Sequence, residues 1–121
     1  MNLGDVQFTR RAGMLVAELT GEIDLSNAES VGQAIAETTS NLDAGVVLDL
    51  SALRYLDSAG IQFMFRLREQ LRTRGQSFAL VIPAQSASND ALRLAGVTLH
   101  VETFETQRDA LRSAAADRDD G

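Results

Sequence analysis

The sequence contains no cysteine and no lysine, and its 121 residues include a single histidine and a single proline. Without cysteine, disulfide bonds, thiolate zinc sites and thiol catalysis are excluded. All eleven basic residues are arginine, which also excludes a phosphate-loop lysine, a kinase-type lysine and a Schiff base. The lone histidine, His100, cannot form a multi-histidine metal site. We therefore expect neither a metal ion nor an organic cofactor.

The charge and hydropathy of the chain set further limits. Acidic residues outnumber basic ones by 17 to 11, a net charge of −6, which disfavours direct binding to nucleic acid or to an anionic membrane. No apolar run approaches the roughly 20 residues that span a bilayer. The first five residues lack the basic flank and apolar stretch of a signal peptide. We therefore expect a soluble, cytoplasmic protein.

The pattern of apolar residues predicts a single α/β domain over residues 1–116, followed by a solvated acidic tail over residues 117–121. Strands and helices alternate in the order β-β-α-β-α-β-α-β-α. This order predicts a mixed, mostly parallel central sheet of about five strands with about four helices. Residues 46–50 are apolar on both faces, as a central parallel strand requires. The alternation of Val97, Leu99 and Val101 predicts the last strand, at an edge of the sheet.

Two polar loops, residues 21–24 and residues 53–60, join predicted strands to the helices that follow them. In a parallel sheet both loops leave the carboxyl ends of their strands, where open α/β folds bind their ligands. We therefore expect the two loops to be neighbours. Ser26 followed by Glu29 is a capping-box pattern, which predicts that the first helix starts near Asn27.

Ser58 lies at the predicted start of the second helix, directly after Asp57. The more common interpretation of such a residue is a capping serine. The alternative is a regulated hydroxyl that accepts a phosphoryl group, since a helix N-terminus tolerates an anion. The added charge of about −1.5 to −2 would fall beside Asp57 and near Asp24. It would change an interface there without unfolding the domain.

Two segments carry a resemblance to a known family. Residues 47–51 and 56–61, which include the run Asp-Ser-Ala-Gly, resemble the signature of the STAS family, the sulphate-transporter and anti-sigma factor antagonist domains. Residues 19–24, Leu-Thr-Gly-Glu-Ile-Asp, resemble the other hallmark of that family. The motifs stand in the family's order and separation, and the resemblance covers essentially the whole chain. Because it has no transmembrane segment, the chain looks like the stand-alone anti-sigma factor antagonists rather than the transporter-attached members.

The resemblance implies a partner-switching mechanism. An unmodified antagonist of this family binds an anti-sigma factor that is itself a serine kinase, and this binding frees the sigma factor for transcription. The kinase phosphorylates the motif serine, here Ser58, and the complex dissociates until a phosphatase restores the unmodified form. On this basis we expect a regulatory binding protein and not an enzyme. Its expected partners are an anti-sigma factor serine kinase and a phosphoserine phosphatase.

The resemblance also implies a partner-binding surface around the serine. The glycine of the motif, Gly60, is expected to let a partner's backbone approach the helix closely. Ala59 stands where many antagonists have a second hydroxyl residue, which leaves one acceptor in the motif. For Tyr55, a core role and a role as an interface anchor are about equally supported. The expected partner-binding residues are Gly21, Asp24, Tyr55, Asp57, Ala59 and Gly60.

Other functions remain open from the sequence. A scaffold subunit of a stress-sensing or lipid-transport ATPase complex would use the same fold without phosphorylation. A nucleotide sensor is a third possibility, although the chain has no lysine and no glycine-rich phosphate loop. A serine hydrolase is disfavoured because no glycine stands two positions before Ser58. Arginines crowd residues 66–74, where they are expected to complement a helix dipole rather than to bind RNA.

Overall fold

A five-stranded mixed sheet forms the centre of the molecule in the computed structural model, which describes residues 4–120 apart from the side chains of residues 4, 87, 88 and 117–120. The strands lie side by side in chain order. The first pair is antiparallel and the remaining pairs are parallel. The strands are β1 (Gly4–Arg11), β2 (Met14–Ile23), β3 (Gly45–Leu56), β4 (Ser77–Val81) and β5 (Glu102–Phe104). The predicted mixed, mostly parallel sheet is confirmed.

Four α-helices cover the sheet within residues 4–120. They are α1 (Ala28–Thr38), α2 (Ser58–Thr73), α3 (Ala87–Leu94) and α4 (Gln107–Asp120). The backbone of α4 continues through most of the segment predicted to be a solvated tail. The side chains of residues 117–121 lie outside the described part of the chain, so the solvation of the tail stays a prediction.

The helices bury two separate apolar clusters, one on each face of the sheet. On one face α1, α2 and α3 pack on β2 and β3, and on the other face α4 packs on β3 and β4. Successive residues of β3 alternate between the clusters, because side chains in a strand point to opposite faces. Val46 and Leu48 belong to the first cluster and Val47 to the second. The prediction of a central strand with two buried faces is therefore confirmed.

The predicted last strand at residues 97–101 is wrong. Val97–Leu99 form a single 3₁₀ turn, and the strand follows it at Glu102–Phe104. The backbone N–H groups of His100 and Val101 donate to the Val97 carbonyl, so the hydrogen bonds are local. Val97 and Val101 are both buried while Leu99 is 82% exposed. Residues four apart share one face of a helical turn, so the buried valines fit a turn as well as a strand.

A second difference concerns the aromatic residues of α2. The pattern of apolar residues favours Phe65 over Phe63 as the core residue. In the structure Phe63 is only 3% exposed, whereas Phe65 is half-buried and makes an edge-on contact with the His100 ring. Phe63 is covered because it packs against Gly32 of the neighbouring helix α1, where no side chain intervenes.

A buried carboxylate ties β1 to the loop between α1 and β3. The Arg10 guanidinium donates to both oxygens of Asp43, at 2.9 and 3.1 Å, and also to the Thr38 carbonyl. The Ser40 N–H donates to Asp43 as well. The hydrogen bond from Arg10 is the largest cause that holds the pKa of Asp43 below its usual range, and it outweighs the opposing effect of burial.

We expect this contact to make the stability of the fold depend on pH in the acid range. A carboxyl whose folded-state pKa is lowered stabilises the fold fully above its unfolded-state pKa of about 3.9, and that stabilisation is lost as pH falls through the lower folded-state value. The variant Asp43→Asn should therefore be less stable than the parent at neutral pH, and the difference should shrink below about pH 4. Urea unfolding midpoints at several pH values measure this. Glu102→Gln, which changes an exposed carboxylate, serves as the control, and a difference that is constant with pH would contradict the account.

Candidate functional site

The end of β3 and the start of α2 place Ser58 at the first helical position. Asp57, with extended backbone angles, is the N-cap residue. Its Oδ1 accepts hydrogen bonds from the N–H groups of Ala59 (2.8 Å) and Gly60 (3.3 Å). Ser58 is exposed. The capping interpretation of Ser58 is therefore wrong, because the preceding aspartate caps the helix.

The two polar segments predicted as loops are neighbours, as expected from a parallel sheet. The prediction of a loop is wrong for most of their length, because β2 extends to Ile23, β3 extends to Leu56 and α2 begins at Ser58. Glu22 pairs with Tyr55, and Ile23 pairs with Leu56. The register between β2 and β3 shifts on either side of Gly21, whose φ of 81° is a left-handed value that glycine adopts without strain. Such irregularities in strand pairing occur next to functional sites, where they redirect side chains. Gly21 thus shapes the loop through its backbone.

Asp57 links the two loops directly. Its backbone N–H donates to the Ile23 carbonyl at 3.2 Å. Its second carboxylate oxygen, Oδ2, accepts from the Leu25 N–H at 3.3 Å. One side chain therefore fixes the start of α2 and the conformation of the other loop, 32 residues earlier. The structure thus shows a positioning role for Asp57, and its expected role in binding a partner stays a prediction.

The loop before α1 departs from the predicted capping box. Helix α1 begins at Ala28, and no side chain caps it with a hydrogen bond. Asn27, which is buried, accepts from the Asp24 N–H at 2.9 Å and donates to the Glu22 carbonyl at 2.8 Å, so it braces the loop from inside. The Ser26 hydroxyl donates to Asp24 at 2.5 Å rather than capping the helix. The loop's own backbone groups compete for these short polar side chains.

Asp24 carries its negative charge at neutral pH. The hydrogen bond from the Ser26 hydroxyl, and then that from the Ser26 backbone N–H, hold the pKa of Asp24 below its usual range. Both bonds reach Oδ1, at 2.5 and 2.9 Å. The loop thus presents an ionised carboxylate at the same edge of the sheet as Ser58.

An open recess of about 450 Å³ lies between the two loops. Its lining residues are Asp24, Leu25, Ser26, Tyr55 and Asp57. Leu25 is 84% exposed and Tyr55 is 49% exposed, so two large apolar side chains stand in water beside two carboxylates. An exposed apolar pair within a polar rim is typical of an interaction surface. For Tyr55 the structure excludes a core role.

Leu25 is the residue of this surface that the sequence interpretation missed. It stands between Asp24 and Ser26, shortly before α1. An apolar residue at that place is equally consistent with the buried face of the helix that follows. The only signal available was a leucine within an otherwise polar loop.

The expected reason for Gly60 is wrong. Gly60 is buried, and a Cβ atom at this position would overlap the Leu56 side chain and lie 3.0 Å from the Ile23 Cγ2. The missing side chain therefore allows α2 to pack on β2 and β3 rather than admitting a partner's backbone. Ala59 is half-buried and packs on the same core. Of the six residues expected to bind a partner, Asp24 and Tyr55 line the open recess together with Asp57.

Three of the arginines within residues 66–74 make contacts within the chain. Arg72 binds Glu69 at 2.7 Å, and Arg68 donates to the His100 carbonyl. Arg74 donates to Asn41. These contacts do not test the expected complement to the helix dipole, which stays a prediction. In the part of the chain that the structure describes, no helix is long and apolar enough to span a membrane, and no three potential ligands are grouped to hold a metal ion.

Comparison with known proteins places these features in a family. The sequence profile of the STAS domain matches residues 5–110. The chain belongs to the STAS family. This match covers every strand and helix around the Ser58 site, and it confirms the resemblance seen in residues 19–24 and 56–61.

Three proteins illustrate what the chain is similar to. The anti-sigma-F factor antagonist RsfB of Mycobacterium tuberculosis is 31% identical over 109 residues, which cover 89% of this chain and 87% of RsfB. The crystal structure of an anti-sigma factor antagonist from Mycobacterium paratuberculosis superposes with a TM-score of 0.81 at 25% identity, covering 92% of this chain and 93% of that one. The phosphorylated form of the Bacillus protein SpoIIAA shares the fold, with a TM-score of 0.65 at 15% identity over 90% of this chain and 98% of that one.

Proposed function

We propose that this STAS protein is an anti-sigma factor antagonist that binds an anti-sigma factor serine kinase and is switched off by phosphorylation at Ser58. The observation that carries the proposal is an exposed serine hydroxyl at a helix start, beside a recess with two carboxylates and two exposed apolar side chains. The likeness to RsfB, named as an anti-sigma-F factor antagonist, supports it. Sigma factors direct transcription, so the proposed site of action is the cytoplasm.

The recess suits a partner with an apolar anchor and a cationic side chain. Leu25 and Tyr55 offer apolar contact area, and a Tyr ring also attracts a cation over its face. Asp24 is ionised, and its Oδ2 is not the oxygen that Ser26 engages. A guanidinium or ammonium group of the kinase would find its acceptor there. This complementarity supports binding in the unmodified state.

Phosphorylation would use the chain as a substrate rather than as a catalyst. The Ser58 oxygen attacks the γ-phosphorus of ATP bound to the kinase, a new P–O bond forms, and the bond to the leaving oxygen of ADP breaks. The hydroxyl proton passes to a base supplied by the kinase. Hydrolysis by a phosphatase would return the serine and release inorganic phosphate.

The phosphate on Ser58 would add negative charge to a site that already holds two carboxylates. A phosphoserine adds about −1.5 to −2 charges at pH 7. Asp57 is its chain neighbour, and Asp24 faces the same recess. Because the Asp57 carboxylate already occupies the Ala59 and Gly60 N–H groups, the phosphate would find the helix N-terminus partly taken. Repulsion from these two carboxylates, together with the cost of removing water from the phosphate, disfavours burying it against a partner, while the core stays packed.

Binding to the cognate anti-sigma factor kinase in the presence of ADP tests the proposal. Calorimetry should show a complex with the unmodified chain, and the phosphorylated chain should bind at least about tenfold more weakly, since the interface would have to enclose a hydrated phosphate beside two carboxylates. Leu25→Ala should also weaken the complex by about tenfold. Leu42→Ala serves as the matched control, because Leu42 is 94% exposed and precedes β3 at the opposite edge of the sheet. Equal affinity of the two phosphorylation states would sink the proposal.

A further inference from the structure

The outer edge of β1 is an open and regular template for strand pairing. β1 is the first strand in the sheet order, so within residues 4–120 only its inner edge is paired. Its register with β2 runs from Gly4 opposite Gly21 to Arg11 opposite Met14 with no shift. The strand has eight residues and no proline. Edge strands are usually blunted by bulges, prolines, short length or charged side chains. β1 has none of the first three, and its charged residues, Asp5, Arg10 and Arg11, lie toward its two ends.

The backbone of β1 defines which residues face this open edge. The Val6 N–H donates to the Asp5 Oδ1 at 2.9 Å and so is not engaged by β2. Alternate residues of an antiparallel strand turn their N–H and C=O groups to the same side. Phe8 and Arg10 therefore present their backbone groups outward together with Val6. A second strand can pair here only in a register that sets these residues opposite one another.

One self-pairing register satisfies this condition and also matches charge. If two copies of β1 run antiparallel with Phe8 opposite Phe8, Val6 lies opposite Arg10 and Gln7 opposite Thr9. Asp5 of each copy then lies opposite Arg11 of the other, on the same face of the sheet. Asp5, Gln7, Thr9 and Arg11 are all exposed, while Val6 and Phe8 are half-buried. Opposite charges facing each other across strands stabilise the pairing.

Neighbouring registers lose this match. In the register with Gln7 opposite Gln7, Asp5 of one copy faces Thr9 of the other. Arg11 then lies past Gly4, the first residue of β1 in the other copy, and has no acidic partner. A slip that sets Thr9 opposite itself puts Arg11 against Gln7 and moves Asp5 beyond the turn at Ala12, where φ is 53°. Only the Phe8-centred register pairs both charges, so it is the one that a second copy would adopt.

We propose that two copies of this chain associate through β1 to form one continuous ten-stranded sheet. Asp5 releases the Val6 N–H in this step, and the N–H bonds the Arg10 carbonyl of the second copy. Arg10 keeps its own contact with Asp43, because that contact uses the side chain and the new pairing uses the backbone. Ser58 lies at the carboxyl edge of the sheet and stays open in both copies. The proposal goes beyond the antagonist function and does not depend on it.

Sedimentation of the full chain over a wide range of concentration tests the pairing. The parent should approach twice its monomer mass at high concentration. Asp5→Arg and Arg11→Asp each replace two attractive pairs with two repulsive ones, so each should raise the dimer dissociation constant by about tenfold or more. Glu105→Arg makes the same charge change as Asp5→Arg at an exposed position outside β1 and should behave as the parent does.

A mixing experiment identifies the register. Asp5→Arg chains mixed with Arg11→Asp chains restore both opposite-charge contacts, so a heterodimer should form at concentrations at which each variant alone is mostly monomeric. Circular dichroism checks that each variant is folded. A parent that stays monomeric at every concentration, or single variants that dimerise as the parent does, would overturn the proposal. Phosphorylation of Ser58 is measured on the same samples, so that failure of pairing is distinguished from failure of the antagonist function.

Discussion

We expect the variant Ser58→Ala to take up no phosphate when it is incubated with the cognate anti-sigma factor kinase and ATP, whereas the parent should take up one phosphoryl group per chain. The reason is the combination of exposure and position: Ser58 is the first residue of α2, and Asp57 rather than Ser58 caps the helix. The competing hydroxyls nearby are engaged. Ser26 donates to Asp24 at 2.5 Å, and Ser51 donates to Asp49 at 2.6 Å. Radiolabel transfer or intact-mass measurement reads the result.

Two further measurements make the Ser58 result specific. Ser30→Ala changes an exposed serine on α1 and should leave labelling at the level of the parent. The free energy of unfolding of Ser58→Ala, measured by urea titration, should equal that of the parent within about 0.5 kcal/mol, because no buried contact is removed. If the alanine variant is still labelled, the acceptor is another residue and the proposed switch is wrong.

The largest loss of stability is expected for Leu48→Ala. Leu48 is completely buried in the middle of β3, between Ala17 of β2 and Leu80 of β4. Truncating a buried leucine removes its apolar burial and leaves a cavity, at a cost of about 2–5 kcal/mol. The urea midpoint should fall accordingly, with an unchanged dependence on denaturant concentration.

The same substitution at Leu42 provides the matched control. Leu42 is 94% exposed, so Leu42→Ala should change the free energy of unfolding by less than about 0.5 kcal/mol. Leu48→Ala leaves Asp57 and Ser58, which follow β3, unchanged. The variant should therefore still be phosphorylated under conditions in which it remains folded. Equal losses of stability in the two variants would mean that Leu48 does not lie in the core of the protein in solution.

Local sequence patterns predicted the parts of the fold whose signals are strong. The run at residues 46–50, apolar except for Asp49, predicted a strand buried on both faces, as a central strand of a parallel sheet requires. The start of the second helix at Ser58 was also predicted, because short polar residues favour helix N-termini. The adjacency of the two site loops followed from the parallel topology alone.

The errors arose where one pattern fits two structures. Val97 and Val101 are buried in a short turn, although their spacing also fits a strand. Ser26 has the composition of a helix cap, but Asp24 lies within reach and takes its hydroxyl. In both places short-range hydrogen bonds compete with regular secondary structure, and the surrounding packing decides between them.

By itself, then, the sequence determined an α/β chain with a parallel core, its family, and a serine at the start of the second helix. Only the tertiary structure decided which side chains meet there. Asp57 reaches the Leu25 backbone 32 residues away, and Gly60 is enclosed by Ile23 and Leu56. Such contacts depend on how strands align and helices pack, and spacing along the chain does not encode the distance between residues that folding brings together.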